Sequence, residues 1–247
     1  MNAMEHRPNA ADENIDRSEV DAPRVTHAME DYLKAIYRLH GDGAPVTMQR
    51  LTEELSLSGP SVTNMVKRLD ELGLVQHARY RDVSLTPSGE RIALRVLRHH
   101  RLLELYLNES LGFDWDQVHA EAERLEHHVS AALEARICAA LGNPTRDPHG
   151  DPIPSHDGSI DAVAPTVLAD LKPGDVASIS RVSDRDPEAL RYLGELGVFP
   201  GQTVTVLETL PFDGPIRVRV GAEEHLLGRP LAARVNVERL LIDRDSA

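Results

Sequence analysis

The sequence predicts a mainly α-helical protein that ends in a small β domain. Apolar residues recur at helical spacing from residue 26 to residue 141, and beyond residue 176 the apolar pattern has a period of two. Residues 144–165 between these regions are rich in proline, glycine and aspartate, as in a linker or an ordered loop. A chain of 247 residues with 41% hydrophobic content is long enough to form several small domains.

The first predicted domain is a winged helix-turn-helix over residues 24–98, preceded by a tail. Residues 1–23 are polar and aperiodic, so we expect disorder there. Three helices and a two-stranded hairpin follow in the order that the motif requires. The expected helices begin at Thr26 and span 46–57 and 61–72, and the expected strands span 74–77 and 83–86.

The third helix is predicted to enter the major groove of DNA, because the second helix of such a turn reads the bases. Its first residues are small and polar. The candidates for base contacts are Ser58, Pro60, Ser61, Thr63 and Asn64. The candidates for phosphate contacts are Lys67, Arg68 and, at the tip of the hairpin, Arg79, Tyr80 and Arg81.

The distribution of charge is compatible with DNA binding through this domain. The whole chain carries a net charge of −13, which by itself argues against a nucleic-acid partner. The segment from Arg24 to Arg101, however, contains twelve lysines and arginines and nine acidic residues. Its net charge is therefore +3, and the remainder of the chain carries −16.

The remaining composition bears on compartment and redox chemistry. Cys138 is the only cysteine, so the chain has no intrachain disulfide. No apolar run approaches the roughly 20 residues that span a membrane, and no signal peptide opens the chain. We therefore expect a cytoplasmic protein without a membrane partner.

Residues 99–143 are predicted to form a helical domain that binds metal. A helix expected over 114–141 advances roughly 100° per residue, which places four side chains on one stripe. These four are His119, Glu123, Glu126 and His127. On the preceding helix, expected over 87–107, His100 and Glu104 are four residues apart and share a face. Imidazoles and carboxylates are ligands for divalent cations, and a solvated charged face is the alternative.

The two long helices also carry apolar faces. One winged domain binds DNA weakly and a symmetric site calls for a dimer, so we expect these faces to pair two copies of the chain. A purely internal core is the alternative. The residues concerned are Leu102, Leu105, Leu107, Val129, Leu133 and Ile137.

Residues 166–242 are predicted to form an SH3-like β-barrel with one helix around 188–196. Pro-Gly and Asp-Gly turns separate the short strands, which are expected over 176–182, 203–208, 216–220 and 234–237. An acidic loop precedes the helix, and its Asp186 and Glu188 are weaker candidates for an additional metal ligand.

With these features in place, the chain resembles the diphtheria toxin repressor family of metal-dependent transcriptional regulators, from about residue 26 to residue 237. The segments that carry the resemblance are MEDYL (29–33), SGPSVT (58–63), LTPSG (85–89), RHHRLLE (98–104), VHAEAERLEH (118–127) and DPHGDPIP (147–154). The C-terminal part is similar to the FeoA-type SH3-like domain of longer members.

The resemblance implies two metal sites. It implies a primary site made of Asp31, Glu123, Glu126 and His127. It also implies an ancillary site made of His100, Glu104 and His119, which the C-terminal domain can complete. The iron-responsive branch has methionine and cysteine at the positions of Asp31 and Glu123, whereas the manganese-responsive branch has carboxylates. That branch also has a glutamate where this chain has Lys34, so two separate sites are favoured over one bridged pair of metals.

The predicted function is metal-dependent regulation of transcription: the protein binds DNA and represses metal-homeostasis genes. Its expected partners are double-stranded operator DNA, a second copy of the chain and a divalent metal. Mn²⁺ is favoured because oxygen ligands replace the soft sulfur ligands, and Fe²⁺ also fits. One alternative is a metal-independent winged-helix regulator that binds a small organic ligand. Another is a metallohydrolase, but the sequence has neither HExxH nor a nucleophile elbow, so no enzyme is expected.

Overall fold

The computed structural model describes residues 25–41, 43–77, 82–163 and 165–240. The predicted tail over 1–23 and the three candidate DNA contacts Arg79, Tyr80 and Arg81 lie outside the described residues. The described helices are α1 (His27–Gly41), α2 (Met48–Leu55), α3 (Gly59–Glu71), α4 (Pro87–Leu111), α5 (Val118–Leu125), α6 (Ala131–Ala140), α7 (Pro187–Glu195) and α8 (Arg229–Ala232). The described strands are β1 (Val75–His77), β2 (Val83–Leu85), β3 (Val176–Val182), β4 (Thr203–Thr209), β5 (Ile216–Val220), β6 (Glu223–Leu227) and β7 (Val235–Arg239).

Helices α1–α3 and the β1–β2 hairpin form the predicted winged helix-turn-helix. Thr47 caps α2 by accepting a hydrogen bond from the backbone N–H of Arg50, and Pro60 occupies the first turn of α3. The two strands pair antiparallel. One apolar core joins all five elements, and its central residues are Met29, Leu33, Ile36, Leu51, Val62, Val66 and Leu69.

Helix α4 connects the wing to the metal-binding region without interruption. Thr86 caps it, and Gly112, in a left-handed conformation, ends it one turn beyond the predicted end. The boundary predicted between residues 98 and 99 therefore falls inside one continuous helix. Gly89 permits this arrangement, since a Cβ at that position would clash with the carbonyl oxygen of Leu74 at the base of the hairpin.

The prediction of a single helix over 114–141 is wrong, because this segment forms two separate helices. Helix α5 ends at Leu125 and is followed by a short 3₁₀ turn, Glu126–His128. Val129 is extended, and Ser130 starts α6 by accepting the backbone N–H of Leu133. A serine whose hydroxyl accepts a free backbone N–H is more favourable at the start of a helix than in its interior, which explains the break before α6.

The C-terminal domain is a five-stranded antiparallel sheet in the order β6-β5-β4-β3-β7, with α7 packed into its core. The predicted SH3-like strands and helix are present, and β6 and α8 are additional. In the described part of the chain the end strands β6 and β7 do not pair with each other, so no closed barrel is detected. The outer edge of β7 is bridged by Val167, which pairs with Asn236.

The segment predicted as a linker includes an ordered loop against both neighbouring domains. The carbonyl of His149 accepts the backbone N–H of Val182 on β3 at 2.8 Å. Asp151 accepts hydrogen bonds from Arg101 on α4 at 3.0 Å and from Arg181 on β3 at 2.8 Å. The loop thus fixes the C-terminal domain to α4 through buried polar contacts.

Of the six apolar residues assigned either to dimerisation or to an internal core, four are buried within the chain itself. The buried residues, part of the chain's own core, are Leu102, Leu105, Leu107 and Ile137. Leu133 is exposed, and Val129 is partly buried. Among the described helices, none is both long and apolar enough to cross a membrane.

Candidate metal centre

The first cluster joins α1 to the 3₁₀ turn after α5. His127 directs Nε2 at Asp31, whose Oδ1 lies 2.8 Å away, and Glu126 Oε1 lies 3.4 Å from the same nitrogen. The other ring nitrogen, Nδ1, donates to Glu30 at 2.7 Å. This outer carboxylate fixes the orientation of the imidazole so that Nε2 faces the cluster, as in carboxylate–histidine–metal sites.

Glu123, the fourth predicted primary ligand, lies beside this cluster and not in it. Its Oε1 accepts a hydrogen bond from Lys34 Nζ at 2.8 Å, and the same ammonium donates to Glu126 Oε1 at 2.5 Å. Burial alone raises the pKa of Glu123, but the Lys34 charge and hydrogen bond outweigh it and lower that pKa. His100 Nδ1 bonds the second oxygen of Glu126 at 2.6 Å. Lys34 thus supplies the positive charge between two carboxylates.

The second cluster joins the helical domain to the C-terminal domain around Glu104. His100 Nε2 and His119 Nδ1 lie 2.9 and 3.0 Å from Glu104 Oε1, and 3.1 Å from each other. Asp184, from the loop after β3, places Oδ2 3.1 Å from His119 Nδ1. The structure therefore brings together the three predicted ancillary residues and adds a carboxylate from the C-terminal domain.

The charges in this second cluster stabilise one another. Burial lowers the pKa of His119, but the hydrogen bonds and charges of Asp184 and Glu104 outweigh it and raise the pKa to about 10. Burial raises the pKa of Asp184, and the His119 hydrogen bond with the charge of Arg38 brings it well below its usual range. Without a metal, the cluster holds protons where a cation would bind.

The acidic loop brings Asp184 to the second cluster, and not the expected Asp186 or Glu188. Asp186 caps α7 by accepting the backbone N–H groups of Glu188 and Ala189, and it pairs with Arg234 at 2.7 Å. Among the described residues, neither Asp186 nor Glu188 belongs to a cluster of potential metal ligands. Asp184 was missed. An aspartate directly before Pro187 is a typical helix cap, and this signal would have set Asp186 aside.

The free face of α3 carries the candidate DNA contacts. Val62, Val66 and Leu69 point into the core. The exposed candidates are Ser58, Pro60, Ser61, Thr63, Asn64, Lys67 and Arg68. The hydroxyls of Ser58 and Ser61 hydrogen-bond each other at 2.9 Å, and Thr63 donates to the carbonyl of Gly59. The N-terminal part of this face is small and polar. Lys67 and Arg68 add positive charge further along the helix, where Lys67 pairs with Glu71 at 3.7 Å.

Family models match the three parts of the chain. The N-terminal DNA-binding domain of iron-dependent repressors matches residues 24–83. Their metal-binding and dimerisation domain matches residues 86–155, and the FeoA domain matches residues 166–239.

Individual relatives extend over most of the chain. The iron-dependent repressor IdeR of Mycobacterium bovis is 36% identical over 224 residues, which cover 85% of this chain and 96% of that protein. The diphtheria toxin repressor of Corynebacterium diphtheriae is 34% identical over 207 residues, covering 81% and 84%. A solved structure described as a manganese-dependent transcriptional repressor in complex with manganese is 40% identical, with a TM-score of 0.80, and covers 86% of this chain and 100% of that one.

These relatives are transcriptional repressors and not enzymes, and they match the DNA-binding, helical and FeoA parts together. The chain therefore belongs to the diphtheria toxin repressor family of metal-dependent, DNA-binding transcriptional repressors.

Proposed function

We propose that this protein is a dimeric repressor that uses Mn²⁺ as its corepressor at operators of metal-homeostasis genes. The observation that carries the proposal is the contact between His127 Nε2 and Asp31 Oδ1, because these atoms belong to different domains and are both metal ligands. A cation bound between them joins the DNA-binding domain to the helical domain.

The donor atoms favour Mn²⁺ over softer metals. The first cluster offers two carboxylates and one imidazole from Asp31, Glu126 and His127. Cys138 lies on α6 near Arg98 and Asn143, away from this cluster. Mn²⁺ is weakly bound in the divalent series, so a site selects it through oxygen-rich ligands and by omitting sulfur. Fe²⁺ fits the same donors and is the competing effector.

Metal and DNA would be coupled through α1. Asp31 lies on that helix, which shares one core with the recognition helix α3 through residues such as Leu33 and Val66. Metal that binds best to the DNA-competent position of α1 must raise the affinity for DNA, and DNA must raise the affinity for metal by the same factor. A 100-fold effect requires only about 2.7 kcal/mol of coupling.

The second cluster is proposed as the ancillary site, with His100, Glu104, His119 and Asp184 as ligands. Two imidazole nitrogens 3.1 Å apart beside two carboxylates form a suitable donor set for one divalent cation. Because Asp184 comes from the FeoA domain, a cation there would hold that domain against α4 and α5.

Lys34 limits the primary site to one cation. Its ammonium lies between Glu123 and Glu126, and these carboxylates form a third group of potential ligands with His100. A second metal would have to displace a buried lysine from two hydrogen bonds. Glu123 completes the primary site by turning from Lys34 towards Asp31.

DNA contacts are assigned to the exposed face of α3, with Arg79, Tyr80 and Arg81 as the expected wing contacts. Ser61, Thr63 and Asn64 suit base edges, whereas Lys67 and Arg68 suit phosphates. Two such helices on one operator require a dimer, and the exposed Leu133 on α6 is a candidate contact between the copies.

The deciding experiment is DNA binding under anaerobic conditions with Mn²⁺ and Fe²⁺ titrated separately at buffered free concentrations. The probe is a labelled fragment from upstream of the protein's own gene, and scrambled DNA is the control. We expect Mn²⁺ to activate at the lower free concentration. Equal or stronger activation by Fe²⁺ would contradict the manganese assignment, and binding that survives a chelator would favour a metal-independent regulator.

A further inference from the structure

A further buried cluster lies behind the ancillary site, where α4 meets the loop that docks the C-terminal domain. It consists of Glu104, Asp147 and His149, whose potential ligand atoms all lie within 4.8 Å of one another. Glu104 and His149 are fully buried, and Asp147 is 7% exposed. Asp147 and His149 belong to neither of the two sites described above.

His149 is held with a free lone pair in this cluster. Its Nε2 lies 2.7 Å from the carbonyl oxygen of Trp115. A carbonyl only accepts hydrogen bonds, so Nε2 carries the proton and Nδ1 of the neutral ring does not. In the described part of the chain Nδ1 is buried without a hydrogen-bond partner. This is the tautomer in which histidine binds metal through Nδ1.

Glu104 presents a second orphaned atom to the same point. Its Oε1 serves the ancillary site, whereas Oε2 is buried and has no hydrogen-bond partner among the described residues. Glu104 Oε2 and His149 Nδ1 lie 4.0 Å apart. This is too long for a hydrogen bond. It is slightly less than twice the roughly 2.1 Å of a bond from a divalent metal to nitrogen or oxygen, so one cation between the two atoms reaches both.

Asp147 is positioned as the third ligand. Its Oδ1 accepts the backbone N–H groups of His149 and Asp151, each at 2.9 Å, which fixes the carboxylate on the loop. The guanidinium of Arg101 lies 3.7 Å from Oδ2 and donates to Asp151 and to the carbonyl of Pro152. Buried donors and acceptors without partners are costly, and a cation satisfies the two orphaned atoms together.

We propose that Glu104, Asp147 and His149 bind a third divalent cation, distinct from those of the primary and ancillary sites. Glu104 would bridge this cation through Oε2 to the ancillary cation on Oε1. The proposal shares Glu104 with the ancillary site of the proposed function, but Asp147 and His149 test it separately. Because the His149 carbonyl accepts the Val182 N–H, the cation would strengthen the attachment of β3 to α4.

The test measures bound Mn²⁺ per full-length chain by anaerobic equilibrium dialysis and elemental analysis. We expect three equivalents for the wild type and two for Asp147→Asn. This variant keeps the Oδ1 acceptor for both backbone N–H groups, so its fold is preserved. His149→Phe should likewise lose one equivalent. His156→Phe, at an exposed histidine of the following loop, should keep three.

Electron paramagnetic resonance gives a second readout. Two Mn²⁺ ions bridged by one carboxylate are magnetically coupled, and Asp147→Asn should replace the coupled signal by that of isolated ions. Failure of the primary site alone would lower all the counts by one and leave the difference between wild type and variant. Equal counts for wild type and both variants would overturn the third site. A loss of two equivalents in Asp147→Asn would assign the residue to the ancillary site and would also overturn the proposal.

Discussion

Replacing Lys34 by methionine removes the ammonium that separates Glu123 from Glu126 and retains most of the side-chain volume. The side chain of Lys34 is 6% exposed, that of Glu126 is 0% exposed and that of Glu123 is 38% exposed. Removing one partner of a buried ion pair costs about 3–5 kcal/mol. We expect the lower end, about 3 kcal/mol, because Glu123 reaches solvent and Glu126 keeps its hydrogen bond with His100.

Mn²⁺ should reverse this loss of stability, because a cation can take the place of the ammonium. At a free metal concentration 100 times the dissociation constant of the vacated position, the added stabilisation is about 2.7 kcal/mol. Lys34→Met should therefore be much less stable than the wild type without metal and nearly as stable with it. The metal-induced gain in unfolding free energy should be larger in the variant.

Urea unfolding followed by circular dichroism, with chelator and with buffered Mn²⁺, measures both quantities. Lys67→Met is the matched control, since Lys67 forms an exposed ion pair with Glu71 at 3.7 Å. Its effect should stay within about 1 kcal/mol, with or without metal. A loss of stability in Lys34→Met no larger than that in Lys67→Met, or equal stabilisation of both variants by Mn²⁺, would contradict this role of Lys34.

Three further predictions concern the ancillary site and the packing of α4. Asp184→Asn should weaken Mn²⁺ binding at the ancillary site by about tenfold or more, whereas Asp186→Asn should not. Equal Mn²⁺ affinities of the two variants in calorimetry would contradict the assignment of Asp184. His119, with its pKa raised to about 10, is protonated at pH 7 in the metal-free protein. Mn²⁺ must therefore displace about one proton, and the affinity for Mn²⁺ should rise about tenfold per pH unit towards pH 9. Calorimetry in buffers of different ionisation enthalpy detects that proton, and a heat independent of buffer would count against it. Gly89→Ala should destabilise the protein by about 1–3 kcal/mol because its Cβ meets the Leu74 carbonyl, while Gly59→Ala, with open space around it, should not. Equal unfolding free energies for the two variants would show that the contact relaxes.

Sequence periodicity predicted the winged domain well, because its signals are local. A threonine cap, a proline in the first turn and a glycine after the last turn define helices independently of what packs against them. The break after Leu125 was not predicted, because helix-forming residues continue on both sides and only Ser130 signals a new start. The 3₁₀ turn lets Glu126 face His100 while His127 faces Asp31, so these ligands do not follow a continuous helical stripe.

The composition of the proposed metal sites was predictable only in part. Ligands on one helix, such as His100 and Glu104, are recognisable from their spacing. Asp184 could be singled out only after its neighbour Asp186 was recognised as a helix cap. Asp147 and His149 reach Glu104 across more than forty residues of chain, and the docking of the loop against α4 brings them together. Such contacts depend on tertiary packing, which carries no periodic signal.

In the proposed mechanism, metal and DNA bind the same arrangement of α1 and the turn at His127. This coupling is tested most directly by measuring the affinity for operator DNA with and without Mn²⁺, and the affinity for Mn²⁺ with and without DNA. We predict equal factors in the two directions for the wild type, since the coupling is reciprocal. For Asp31→Ala we predict no metal-dependent gain, with an unchanged dimer. Undiminished stimulation by Mn²⁺ in Asp31→Ala would contradict the claim.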